Sequence, residues 1–167
     1  MHFLSSLAVL ATLATFTGAQ NAPVAPTLDL LSTLTLRLGA SFDLGGAVPF
    51  GNTVDVIPVV GGTFNGSRLS GEVLNLGADY RLTDRAGIIR PDAHLSLRTD
   101  DGANVYLQLE GAVQPDGRGL IHIKFQTATD GSYSWLNIVK AVGVSTTQGT
   151  GSVPDVVVIE VWNVTPA

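Results

Sequence analysis

The sequence predicts an all-β protein: a single closed antiparallel β-barrel of about eight or nine strands. Three observations point there. Apolar and polar residues alternate with a period of two along nearly all of the chain beyond residue 30. Glycine-containing turn pairs separate the apolar runs about every ten residues. No run outside the N-terminal apolar segment holds a helical period for three turns. Closure is favoured over an open sandwich because the chain contains no cysteine. Without disulfides, a secreted domain gains most from abolishing exposed strand edges.

Residues 1–19, "MHFLSSLAVLATLATFTGA", hold no acid, lysine or arginine, and the apolar run Phe3 to Phe16 ends in Thr17-Gly18-Ala19. The run is short for a bilayer span and reads as a secretory signal peptide, so the mature chain is expected to be secreted and extracellular. Residues 20–29, with Pro23 and Pro26, read as a linker to one domain over residues 30–167.

The elements of that domain follow in order. Leu34, Leu36 and Leu38 alternate with Thr33, Thr35 and Arg37, and Gly45-Gly46 closes the first turn. A strand over Val54 to Val60 runs into "GGTFNGSRLSGEVLNLGADY", Gly61 to Tyr80, which holds five glycines. Those glycines suit corners and kinks where a curved sheet bends. A phosphate loop is a poor alternative, because "GGTFNG" opens no helix and lacks the lysine. Alternation resumes at Ala93, Leu95 and Leu97, then at Val105, Leu107 and Leu109, with Asp101-Gly102 between them. Pro115-Asp116-Gly117 leads to Ile121, Ile123 and Phe125, and Asp130-Gly131 follows. Tyr133, Trp135 and Asn137 then alternate with Leu136 and Ile138, as on a strand. "VVVIEVW", Val156 to Trp162, reads as a closing strand buried on both faces.

Composition excludes several functions. The absence of cysteine removes thiol catalysis and thiolate metal sites. The net charge is −5 and the nine basic residues are scattered, so no stripe follows a phosphate backbone and nucleic acid is not an expected partner. No second apolar segment is long enough to cross a membrane as a helix. Asn65-Gly66-Ser67 and Asn163-Val164-Thr165 are N-glycosylation sequons, which fit a secretory route and make Asn65 and Asn163 candidate glycan sites.

The stretches "PVVGGTFNGSRLSGEVLNLGADYRL", "DAHLSLRTDDGANVYLQLEG" and "YSWLNIVKAVGV" together resemble, in this order, the DUF3237 family, also called UPF0311. The family pattern is close to Gly-Gly-Thr-Phe-x-Gly, Gly-Gly-Ala-Asp-Trp, a Thr-Asp-Asp-Gly turn and a late Tyr-x-Trp-Leu-Asn. Here Leu76 stands for the first glycine before Ala78-Asp79, and Tyr80 stands where tryptophan is usual. The resemblance implies a small barrel of the lipocalin or allene-oxide-cyclase kind. It implies no particular activity.

Asp79 is the leading candidate for chemistry. Its neighbours Val73, Leu74, Leu76 and Ala78 are apolar, so an inward-facing carboxyl would be desolvated and suited to general acid or base work. The alternative is a turn residue, or a surface partner of Arg81. Tyr80, Tyr133, Trp135 and Asn137 are candidate substrate-binding groups, since rings with one amide are typical of a small-molecule pocket. The same group also serves as an ordinary barrel plug. Asp92, His94, Ser96 and Arg98 share one strand face, read as solvated and opposite Ala93, Leu95 and Leu97. A hydrolase ranks lowest, because no nucleophile elbow surrounds Ser96 and no carboxylate pair stands out. His94 and His122 form no metal motif, and neither metal nor cofactor is expected.

The expected function is therefore a secreted barrel that binds a small, largely apolar metabolite of polyketide or terpenoid type. Catalysis, an isomerisation or cyclisation of that molecule with Asp79 as the acid–base group, is a further option for the same barrel. The alternative is a non-catalytic secreted or surface protein that acts through protein contacts.

Overall fold

The alternating runs do pair into one sheet that closes on itself. The computed structural model describes residues 23–49, 53–149 and 155–167; the expected signal peptide, residues 1–19, lies outside them. The strands are β1 (Thr27–Leu38), β2 (Phe42–Asp43), β3 (Thr53–Asn65), β4 (Gly71–Val73), β5 (Ala78–Thr83) and β6 (Ile89–Arg90). They continue with β7 (Asp92–Thr99), β8 (Asn104–Val113), β9 (Gly119–Thr127), β10 (Ala141–Gln148) and β11 (Val156–Thr165). Strands β7 to β11 form an antiparallel meander. β11 then pairs with β1, β1 with β3, and β3 with both β4 and β5, which in turn pair with β7. The ring is complete, with β4 and β5 sharing one place in the wall. The short β2 and β6 lie off it, on β3 and β5.

Period-two alternation fills this ring. Leu34, Ile57, Leu95, Leu107, Ile123 and Ile159 all point inward and are at most 1 % exposed. Burying each such side chain stabilises the fold by about 1.5–3 kcal/mol. Their neighbours Asp92, His94, Ser96, Arg98 and Lys124 take the outer face and are partly or fully exposed. The polar row on β7 is thus an outer surface.

Three local expectations change. β1 begins at Thr27, inside the expected linker, because Thr27 to Leu30 pair with Trp162 to Thr165 at the end of β11. β11 is buried on its inner side only, at Ile159 and Val161; Val156, Val158 and Trp162 are half-exposed and Glu160 exposed. An all-apolar run cannot reveal by periodicity which side faces water.

The third change concerns Tyr133, Trp135 and Asn137, which do not alternate along a strand. Ser134–Ile138 is a 3₁₀ helix, tied by Ser134 N–H to Gly131 O (3.0 Å) and Leu136 N–H to Tyr133 O (2.9 Å). The chain must cross the end of the barrel between β9 and β10, and a tight turn of helix does this. Leu136, fully buried, plugs that end, with Tyr133 and Trp135 packed against the core. The Arg68 guanidinium lies 4.2 Å from the Trp135 ring centre. Asn137 fixes the helix to β9: its Oδ1 accepts from Thr127 N–H (2.9 Å) and its Nδ2 donates to Thr127 O (3.1 Å).

Candidate functional site

Among the described residues, no plug crosses the opposite end of the barrel. Here the wall encloses a cavity of about 250 Å³, at the mouths of β1, β3, β5, β8 and β10. Most of its lining is aliphatic, including Leu36, Ile57, Val59, Ala93, Leu109 and Ile159. Its charged lining residues are Asp79 and Arg81, with Ser145 and Thr147 adding hydroxyls.

Local sequence places the two charges. In β5, Asp79 and Arg81 are two residues apart and share the inner face, roughly 7 Å from one another along the strand. Asp79 stands opposite Ile57 of β3 and Ala93 of β7, which are 1 % and 3 % exposed. Arg81 stands opposite Asp55 of β3 and donates from Nη2 to Asp55 Oδ2 at 2.9 Å. Just before them, a Cβ on Gly77 would lie 2.3 Å from the His94 carbonyl oxygen. Only glycine lets β5 approach β7 this closely.

The electrostatics follow from this packing. Burial among aliphatic side chains raises the Asp79 pKa from 3.8 to about 6. Opposing it are a hydrogen bond from Asp92 N–H to Asp79 Oδ1 (2.9 Å) and the Arg81 charge; the Asp92 and Asp55 carboxylates add to the rise. Arg81 is bonded to Asp55 and helps Asp79 only through space. The site therefore holds a carboxyl that keeps its proton into the mildly acidic range, in a largely apolar chamber.

This has a consequence for stability. The folded state binds the Asp79 proton more tightly than the unfolded chain does, so its contribution is fully present below about pH 4 and falls as pH rises through about 6. The total loss is on the order of 3 kcal/mol at about 1.4 kcal/mol per pKa unit. Asp79→Asn is expected to melt progressively higher than the wild type between pH 4 and 7. A constant gap across that range would show that Asp79 is not desolvated.

The other candidates fall elsewhere. Tyr80 points to the outside and is 52 % exposed, so it does not line the cavity. It meets His94 edge-on at 6.4 Å and borders a shallow groove on the outer wall with Leu82, Leu120 and His122. Strand alternation gives the reason: if Asp79 faces inward, its neighbour must face outward. Tyr133, Trp135 and Asn137 belong to the plug at the opposite end, so the structure does not bring them to Asp79. Asn65 is exposed at the end of β3, whereas Asn163 is half-buried within β11, paired with both β1 and β10. Asp101 is exposed in the β7–β8 turn beside Gly102, with its pKa lowered first by the Thr99 hydroxyl. Outside the barrel, His94 contacts Tyr106 and lies 3.4 Å from Asp92. Among the described residues no cluster of three or more histidine or acidic side chains is placed to hold a metal ion.

The missed members of the site are Arg81 and Asp55. Arg81 shares a face with Asp79 by simple alternation, a signal the sequence offers. Asp55 becomes visible only once β3 and β5 are known to pair.

Comparison with known proteins gives this geometry a context. Residues 26–120 match the family described as "Protein of unknown function (DUF3237)". The UPF0311 protein RPA1785 of Rhodopseudomonas palustris is 37% identical over 89 residues, covering 52% of this chain and 56% of that protein. The chain thus spans a little over half the length of that relative. The hydroalkoxylation enzyme phnH of Penicillium herquei is 32% identical over 145 residues, 84% of this chain and 86% of the enzyme. A beta-barrel like protein of Acinetobacter baumannii AYE, ABAYE2633, superposes with a TM-score of 0.74 at 30% identity, covering 87% of this chain and 100% of that one. With the expected motifs, the matched profile and a shared barrel, this chain belongs to the DUF3237 (UPF0311) family.

Proposed function

We propose that the cavity lined by Asp79 is a reaction chamber in which Asp79 catalyses ring closure of a small, largely apolar molecule by adding a hydroxyl across a C=C bond. The observation that carries this reading is a carboxyl with its pKa raised to about 6, set in an aliphatic cavity of about 250 Å³. A general acid works best when its pKa lies near the working pH. The name of the Penicillium herquei relative, a hydroalkoxylation enzyme, supports the same class of chemistry.

In the proposed reaction the neutral Asp79 carboxyl donates its proton to one alkene carbon. The substrate's hydroxyl oxygen bonds to the other carbon, and the hydroxyl proton returns to the carboxylate. A C–H and a C–O bond form, a π bond and an O–H bond break, and the product is an isomer of the substrate. Catalysis then needs only proton transfer, orientation and exclusion of water. The cavity is smaller than the roughly 300–1,000 Å³ of many ligand pockets, so it holds the reacting part of a molecule while the rest occupies the mouth.

The test is to incubate the protein with a panel of 2-alkenyl phenols and enols in D₂O. Conversion to isomers that carry one new carbon-bound deuterium supports the reading. Recovery of every compound without deuterium would reject it.

We also propose export of the mature chain from near Gln20, on the strength of the uncharged run ended by Thr17-Gly18-Ala19. N-terminal sequencing of protein from the culture medium checks this; an intact Met1 on a cell-retained protein contradicts it.

A further inference from the structure

Strand β10 turns polar where it borders the cavity. Its residues Ala141 and Gly143 face inward and are buried, and by alternation Ser145 and Thr147 take the same face. Their ladder partners in β11, Ile159 and Val157, line the cavity with them. Ser145 is nevertheless half-exposed and Thr147 exposed. Exposure on an inward face is exposure to the chamber and its mouth. The hydroxyls of Ser32, Ser70, Thr99 and Thr127 bond within the protein. Among the described residues, those of Ser145 and Thr147 have no protein partner. Gly119 of β9 makes room for one of them: it stands opposite Ser145, and a Cβ there would lie 2.2 Å from Ser145 Oγ.

These hydroxyls face Asp79 from the other side. Strand β10 is reached from β5 through β7, β8 and β9, or through β3, β1 and β11, so it lies diametrically across the ring. The heights agree as well. By the first route the register links Asp79 to Ala93, Leu109, Ile123 and Ala141, and Thr147 lies six residues beyond Ala141, away from the plug. By the second, Thr147 is linked to Val157, Leu36 and Gly62, and Gly62 lies five residues beyond Ile57, the partner of Asp79, toward the plug. Rows of paired residues climb round a barrel because its strands tilt. Offsets that nearly cancel therefore put Thr147 close to the height of Asp79, with Ser145 just beneath.

From this arrangement we infer that Ser145 and Thr147 bind a second, neutral oxygen of the substrate, carried across the molecule from the hydroxyl that reacts at Asp79. The inference rests on the cavity being the reaction chamber and narrows what enters it. A hydroxyl both donates and accepts, so the pair suits another hydroxyl or a ketone. A hydrocarbon edge would strip water from both side chains with no return. A carboxylate or ammonium would lose its hydration without finding a counter-charge, since the charged lining residues, Asp79 and Arg81, both stand on the far wall. The substrate is thus oxygenated on two edges, as polyketide-type rings are, and not a terpene alcohol with a single oxygen.

The test uses 4-(3-methylbut-2-enyl)benzene-1,3-diol and 2-(3-methylbut-2-enyl)phenol, which differ by one oxygen. Binding is measured to the full chain carrying Asp79→Asn, so that turnover, or its absence, does not enter the result. The diol is expected to bind about tenfold more tightly than the phenol. Its ring protons are expected to show nuclear Overhauser contacts to the Thr147 methyl group. Adding Ser145→Ala and Thr147→Val, which remove the hydroxyls and little else, is expected to bring the two dissociation constants within about twofold of each other. Should the pair unfold the chain, Thr147→Val alone, at its exposed position, is expected to lower the preference by about threefold or more. Equal binding of the two compounds overturns the inference. So does a preference kept in the folded variants, or an unperturbed Thr147 methyl at saturating diol. If the compounds bind equally while the wild type incorporates deuterium, the chamber stands and the second oxygen site alone fails. If binding behaves as expected without deuterium uptake, the site stands and the catalytic reading alone fails.

Discussion

Asp79→Asn is expected to lower turnover of a cyclising substrate by a factor of about 10² to 10⁴ while leaving the barrel folded. Asparagine keeps the size of the side chain and an oxygen to accept the bond from Asp92 N–H, which stands at 2.9 Å from Asp79 Oδ1. What it lacks is the proton. Loss of activity with an intact melting transition would therefore separate chemistry from support. Asp79→Ala is the contrasting variant: it removes both the proton and the acceptor of the Asp92 N–H bond. The wild-type rate is expected to fall as pH rises above about 6, where the carboxyl gives up its proton. An occupied cavity holds less water, and this moves the fall toward higher pH in the complex. Turnover by the Asn variant within about threefold of wild type would remove Asp79 from the reaction, since proton transfer by a placed acid contributes far more than this.

That an inward place for Asp79 is legible in the sequence, and the pairing of Asp55 is not, has a physical reason. An acid inside an apolar, period-two segment is conspicuous, because strand alternation assigns it to one of two faces and burial of the wrong one is costly. The pairing of β3 with β5 is a long-range fact, and no local pattern around Asp55 announces it. Tyr80 failed as a pocket residue by the very rule that places Asp79 inside. The reading of Tyr133, Trp135 and Asn137 as strand-like failed because five residues are too few to separate a period of two from a turn of 3₁₀ helix. Its alternative, a plug, is what the chain builds. The polar face of β7 was read correctly, since Ala93, Leu95 and Leu97 opposite it left only one side to bury.

Gly62→Ala is expected to destabilise the barrel by about 3–5 kcal/mol, the upper end of what one substitution does. The run from Gly61 to Tyr80 holds its glycines for close backbone approach as well as for curvature. At Gly62 the backbone has φ of +153°, and an added Cβ would lie 2.1 Å from the Thr35 carbonyl oxygen and 3.2 Å from the Leu36 Cα. Both atoms are backbone, so no rotamer change relieves the contact. Gly62 is also paired on both sides, with Leu36 of β1 and Val73 of β4. Any shift must open one of the seams that close the ring, and an opened seam exposes unpaired strand edges. Gly71 repeats the arrangement one strand along, with φ of +154° and a Cβ that would lie 2.1 Å from the Arg98 carbonyl oxygen. Gly131 supplies the control, because its nearest neighbours stand 3.8 Å from an added Cβ and its backbone angle is ordinary. Gly131→Ala is expected to stay within about 0.5 kcal/mol of wild type, as most surface changes do. In urea, Gly62→Ala should lose a large share of the roughly 5–15 kcal/mol that holds a domain folded, and its melting temperature should drop by about 10 °C or more. A Gly62→Ala protein as stable as Gly131→Ala would mean that β1 and β3 are not packed this closely. The seam that closes the barrel beside the cavity would then have to be redrawn.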